Sequence, residues 1–173
     1  MPELGCHCVF SSLPICLAGA GCIFHVIGLS SVYWLVNGHA LVSRTRCGLW
    51  TEVSSAPCSS YPIVPDYIKT SRAFVILGLL AGVGGLVLSV ISLVKQQKTY
   101  YRMACVACFL AAGCILIAVI NYALESKYAR PLGWEFGLGF ILCCISVFLF
   151  VPAGVLNLLE STLGPLCVNQ SPT

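Results

Sequence analysis

The sequence predicts an all-α membrane protein built on four transmembrane helices, and three observations predict it. The 173-residue chain is 58% hydrophobic and only 9% charged, whereas about a quarter of the residues in a soluble domain carry charge. Four stretches contain no Asp, Glu, Lys or Arg: Leu4 to Ser43, Ala73 to Val94, Met103 to Leu124 and Phe136 to Leu159. Each accommodates the roughly 20 apolar residues that a bilayer core demands. Third, of twelve cysteines only Cys47 and Cys58 fall between spans, and both lie in one polar loop.

The expected span cores are residues 13–36, 73–94, 103–124 and 136–158, within a single domain of residues 1–173. Residues 37–72 and 125–135 form the loops on one side, and 159–173 form a tail. A cleaved signal peptide is the alternative for the first span. Its leader, "MPELG", has no Lys or Arg, and the apolar run outlasts a signal core.

In the first loop, "VYWLV" and "HALVS" are short β-prone runs, and "CGLW" ends one and begins a turn. A small antiparallel sheet on the membrane face follows from that pattern. Gly48 is expected to let the chain turn tightly. Trp50 is expected at the interface, with its ring in apolar surroundings and its N–H toward water. A bond between Cys47 and Cys58 would close a ring of about a dozen residues and contribute on the order of 3 kcal/mol.

Orientation depends on two rules that disagree. The turn between spans two and three, "KQQKTYYR", concentrates Lys95, Lys98 and Arg102, as a cytoplasmic turn does. The opposite side carries more basic residues: Arg44, Arg46, Lys69, Arg72, Lys127 and Arg130. The two loop cysteines decide between them, because a loop that holds both makes chemical sense in an oxidising space. The loop at 37–72 is therefore expected outside the cell and both termini in the cytoplasm.

Trp34, then Gly48, Leu49 and Trp50, then Cys58, then Arg72 in "SRAFVIL" resemble the W…GLW…C…R signature of the claudin superfamily. That group includes claudins, peripheral myelin, epithelial and lens-fibre membrane proteins and claudin-domain-containing relatives. The four-span layout, a long first and short second outer loop, and "WEFGLGF" at Trp134 to Phe140 are similar too. The resemblance implies a left-handed four-helix bundle capped by an extracellular β-sheet from the first loop. One departure concerns the cysteines. The family's first loop cysteine stands on the third residue after the GLW tryptophan, and here that residue is Val53. Cys58 fits the second position, so Cys47 supplies the partner in a relocated bond.

Small residues offer close helix packing: Gly78 with Gly82 on span two, Ala81 with Gly85 one step round, and Ala107 with Ala111 on span three. They also allow a homodimer face. Pro152 is expected to kink span four. His25 is the only ionisable group expected inside a span besides cysteine thiols and tyrosine hydroxyls, and it reads as a neutral side chain bonded to a neighbouring helix rather than a proton relay. Asn121 and Asn157 read as interhelical hydrogen-bonders.

Catalytic chemistry is not indicated. Cys105 and Cys108 have redox CxxC spacing without a surrounding βαβ pattern. Cys6-His7-Cys8 needs a fourth ligand to hold a metal. Cys6, Cys8, Cys105, Cys108 and Cys167 are candidates for S-palmitoylation near the inner face. Asn169-Gln170-Ser171 fits a glycosylation sequon, but Pro172 and a cytoplasmic tail argue against its use. No cofactor, small-molecule substrate or nucleic acid is expected; the partners are the lipid bilayer and other membrane proteins or further copies of this chain.

Three functions are compatible with this reading. The first is a non-catalytic structural or adaptor protein of the plasma membrane that organises cell contacts or membrane complexes. The second is a tight-junction claudin lining a paracellular pore, whose first loop, with four basic residues against Glu52 and Asp66, would favour anions. Against it stand a tail ending "NQSPT", with no terminal hydrophobic residue for a PDZ scaffold, and the short loop "ESKYARPLGWE". The third is an auxiliary or trafficking subunit of a channel or receptor.

Overall fold

A computed structural model describes residues 3–37, 46–53, 66–129 and 134–163. Four helices carry the fold: α1 (Glu3–Ser30), α2 (Asp66–Lys95), α3 (Lys98–Ala129) and α4 (Leu138–Leu163). Each contains a stretch long and apolar enough to cross a bilayer, the make-up of a multi-pass membrane protein. Residues such as Ile23, Leu80, Val94, Leu110 and Phe148 point outward. In water so much exposed apolar surface would drive aggregation; in a bilayer it faces its own solvent.

The helices form a ring in which α1 packs on α2 and α4, and α3 packs on the same two neighbours. Small residues set the spacing. A Cβ at Gly78 would lie 2.6 Å from Ile115 Cγ1, one at Gly82 2.6 Å from Phe150 Cζ, and one at Gly85 3.0 Å from Cys108 Sγ. The stripe on α2 is therefore occupied within the chain, and the homodimer face expected from it is not available. Phe150 is fully buried where α1, α2 and α4 converge, against Gly21 as well as Gly82.

The polar side chains of His25, Asn121 and Asn157 inside the bundle bond across to neighbouring helices. His25 Nε2–H donates to Val75 O at 2.9 Å, as expected of a histidine bonded across helices. Asn121 Nδ2 donates to Tyr67 O at 3.0 Å and Ser71 Oγ at 3.1 Å, joining α3 to α2. Asn157 Nδ2 reaches Ser89 Oγ at 3.1 Å, joining α4 to α2. Helix α4 runs through Pro152 as one element and continues to Leu163, beyond the expected end of the span. Glu160 and Ser161, expected in the tail, are instead helical and buried.

The first span also ends differently from expectation. Helix α1 stops at Ser30, and Leu35 and Val36, expected to continue the span, enter strand β1 (Leu35–Asn37). Beyond it lie β2 (Arg46–Cys47), β3 (Glu52–Val53) and β4 (Trp134–Phe136). The four pair antiparallel in the order β3-β2-β1-β4. The sheet was expected from the first loop alone. Its fourth strand belongs to the second loop, with Leu35 opposite Phe136, Val36 opposite Glu135 and Asn37 opposite Trp134. Immediately after β4, Gly137 N–H donates to Trp34 O at 3.0 Å and Gly139 N–H to Tyr33 O at 2.8 Å. These bonds use amide groups that the start of α4 leaves unpaired. A Cβ at Gly137 would collide with the Tyr33 carbonyl, so only glycine permits the approach.

Candidate functional site

The sheet is fastened to the bundle by residues already singled out in the sequence. An α-helix leaves its last four carbonyls without intrahelical partners, and at α1 two tryptophans address that deficit. Trp34 Nε1 donates to Gly28 O at 2.8 Å, and Trp50 Nε1 donates to Leu29 O at 2.9 Å. Trp50 thus differs from expectation: its N–H is held by the helix end rather than directed at water, while the ring stays partly exposed. These bonds satisfy helix-end carbonyls that otherwise need water as a partner.

Arg72, on the first turns of α2, closes the arrangement from the other side. Its Nε donates to Leu49 O at 2.8 Å and its Nη2 reaches Trp50 O at 3.5 Å. The guanidinium carbon lies 5.1 Å from the centroid of the Trp50 ring, within cation–π range. One side chain therefore grips both the backbone and the ring of the GLW turn. Leu49 is fully buried beneath it.

Cys47 and Gly48 complete the turn. Trp34 N–H donates to Cys47 O at 3.0 Å, and Gly48 N–H to Thr51 O at 2.8 Å. Glycine is needed at 48 because of crowding: a Cβ there would sit 2.8 Å from Val32 Cα and 3.0 Å from Ser31 O. Cys47 is fully buried. Cys58 lies outside the described residues, and the expected Cys47–Cys58 bond lies there with it.

An aromatic cluster supports this fastening from below. Trp34 meets Tyr122 edge-on at 4.9 Å between centroids and Phe140 at 6.1 Å, and Tyr67 meets Tyr122 at 6.1 Å. Trp34 thereby touches α3 and α4 while it caps α1. Sequence reasoning identified Trp34, Gly48, Leu49, Trp50 and Arg72; it missed the roles of Gly28, Leu29, Tyr122 and Phe140. Backbone acceptors leave no trace in residue identity, and an aromatic residue inside an apolar span looks like any other lipid-compatible side chain.

The cysteine expectations divide. Cys105 and Cys108 were expected as palmitoylation candidates, but both face the bundle interior, and Cys108 packs against Gly85. An acyl chain on either sulfur would require local repacking to reach lipid. The side chains of Cys6 and Cys8, on α1, and all of Cys167 lie outside the described residues, as does the sequon at Asn169. Among the described residues, no three His, Cys, Asp or Glu groups come together as metal ligands. Neither the known protein-family models nor the curated proteins include a match to this chain.

Proposed function

We propose that this chain is a non-catalytic adaptor of the claudin superfamily, acting at the plasma membrane to organise cell contacts or membrane complexes. The observation that carries the reading is the convergence of Trp34, Leu49, Trp50 and Arg72, which fixes a small sheet rigidly on the end of a helical bundle. A rigid platform presents the same surface to every partner without an ordering penalty at each encounter. In the proposed orientation the sheet lies outside the cell and both termini inside, and a Cys47–Cys58 bond staples the first loop.

The test is made in epithelial cells expressing the full chain with an epitope inserted between β1 and β2. We expect the epitope to be labelled on intact cells and to concentrate where two expressing cells touch. Labelling only after permeabilisation would refute the orientation. Uniform surface labelling, with one channel recovered stoichiometrically on purification, would replace this reading with that of an auxiliary subunit.

A further inference from the structure

We propose that a groove between α2 and α3, at the end of the bundle away from the sheet, binds an anionic phospholipid of the surrounding bilayer. The groove is a shallow, open depression of about 310 Å³, lined by Leu88, Arg102, Met103, Val106, Ala107 and Leu110. That volume lies at the small end of ligand sites, about 300–1,000 Å³. Five of the six lining residues are apolar, and Arg102 contributes only the aliphatic part of its side chain, with its exposed charged group beyond the groove's lining. From Arg102 to Leu110 the helix rises about 12 Å, so the floor of the groove runs from the membrane boundary into the hydrocarbon. This is the shape of one acyl chain lying along α3 with its headgroup at the guanidinium.

Charge identifies the headgroup. Arg102 is exposed and has no ion pair among the described residues, where the sole pair is Lys69 with Asp66 at the opposite end. Neither α2 nor α3 carries an Asp or Glu between Asp66 and Glu125; the acid at this end of α4, Glu160, is fully buried and has an interaction of its own. Two further cations are brought close by the turn. Gln96 adopts φ 50° and donates its N–H to Ser92 O at 2.8 Å, reversing the chain in two residues and setting Lys95 and Lys98 beside the start of α3. Lys95 lies 5.7 Å from the Tyr100 ring centroid and Lys98 is exposed.

A guanidinium matches a phosphate by paired N–H···O bonds, and basic residues at a helix end attract acidic lipids. Arg102 beside the groove, with Lys95 and Lys98 at the same end of the two helices, suits an anionic headgroup better than an uncharged sterol. The inference requires only that the chain sits in a bilayer, and it is independent of the adaptor reading.

Native mass spectrometry of the full chain released from detergent micelles tests it, with phosphatidylserine and phosphatidylcholine added in equal amounts. One phosphatidylserine per chain is the expected adduct, favoured over phosphatidylcholine by at least about fivefold, the contribution of one basic residue. Arg102→Gln should remove that preference. Val106→Trp, which fills the groove from its lipid side without entering the core, should remove the adduct, while Lys69→Gln at the other end changes neither. Both lipids binding equally, or an Arg102→Gln variant as selective as the parent, would overturn the proposal. So would displacement of the adduct by equimolar oleate or cholesterol.

Discussion

Trp50 and Trp34 carry the same indole, yet they serve α1 in different ways. Trp34 is sealed in the aromatic cluster, whereas among the described residues Trp50 is held by its N–H bond to Leu29 O and by Arg72 above its ring. Trp50→Phe keeps a ring for Arg72 but leaves Leu29 O without its donor. We expect it to lower stability by about 1 kcal/mol, read from unfolding in mixed detergent micelles. Arg72→Lys preserves charge but not the Nε bond to Leu49 O. It should cost about 1.5–3 kcal/mol, the range for hydrogen bonds to charged groups, and shift the Trp50 fluorescence as the ring is uncovered. Arg72, Trp50 and Trp34 were legible in the sequence as a spaced set of unusual residues. Apart from the Arg72–Trp50 contact, their partners were not, because each is a main-chain carbonyl or a ring on a distant helix.

At the scale of the element, the spans were the clearest part of the sequence, since a charge has no place in the hydrocarbon and its absence marks the segment. Their ends were harder to read. Leu35 and Val36 are as apolar as the helix before them, and only their pairing with β2 and β4 makes them strand. β4 comprises three residues, too few for an alternating pattern to register. Helix interfaces make two sharp predictions. A Cβ at Gly28 on α1 would lie 2.9 Å from Gly139 O and 2.7 Å from Cys143 Sγ, and the backbone of α4 cannot yield as a side chain can. Gly28→Ala should therefore destabilise by about 1–3 kcal/mol, and by more than Gly84→Ala, where a Cβ meets nothing within 4 Å. For the bond between Asn157 and Ser89, a double-mutant cycle with Asn157→Ala and Ser89→Ala should return a coupling of about 0.6 kcal/mol, the average for membrane side-chain pairs. A coupling of zero would mean that the two polar groups are merely tolerated.

For the whole molecule, the β1–β4 pairing joins the two loops into a single lid. Hydrogen bonds alternate along an antiparallel ladder, and Gly137 N–H bonds Trp34 O, so Val36 and Glu135 form the next hydrogen-bonded pair. Glu135→Pro removes that donor. Hydrogen exchange should then quicken at Leu35 to Asn37 while the amides of the helix interiors stay protected. If protection at β1 persists, β2 alone holds the strand. The sheet's position at one end of the bundle was readable from loop composition, but its two-loop origin was not, because a pairing between residues so distant in the chain is invisible to any local pattern.

That pairing also sets an order of events during biosynthesis. Trp134 to Phe136 leave the ribosome after the first three helices, so β1 must wait, one edge bare, until all three of those helices have been made. A nascent or truncated chain lacking the last helix would carry that uncovered edge, a signature by which folding surveillance could distinguish unfinished copies from completed ones.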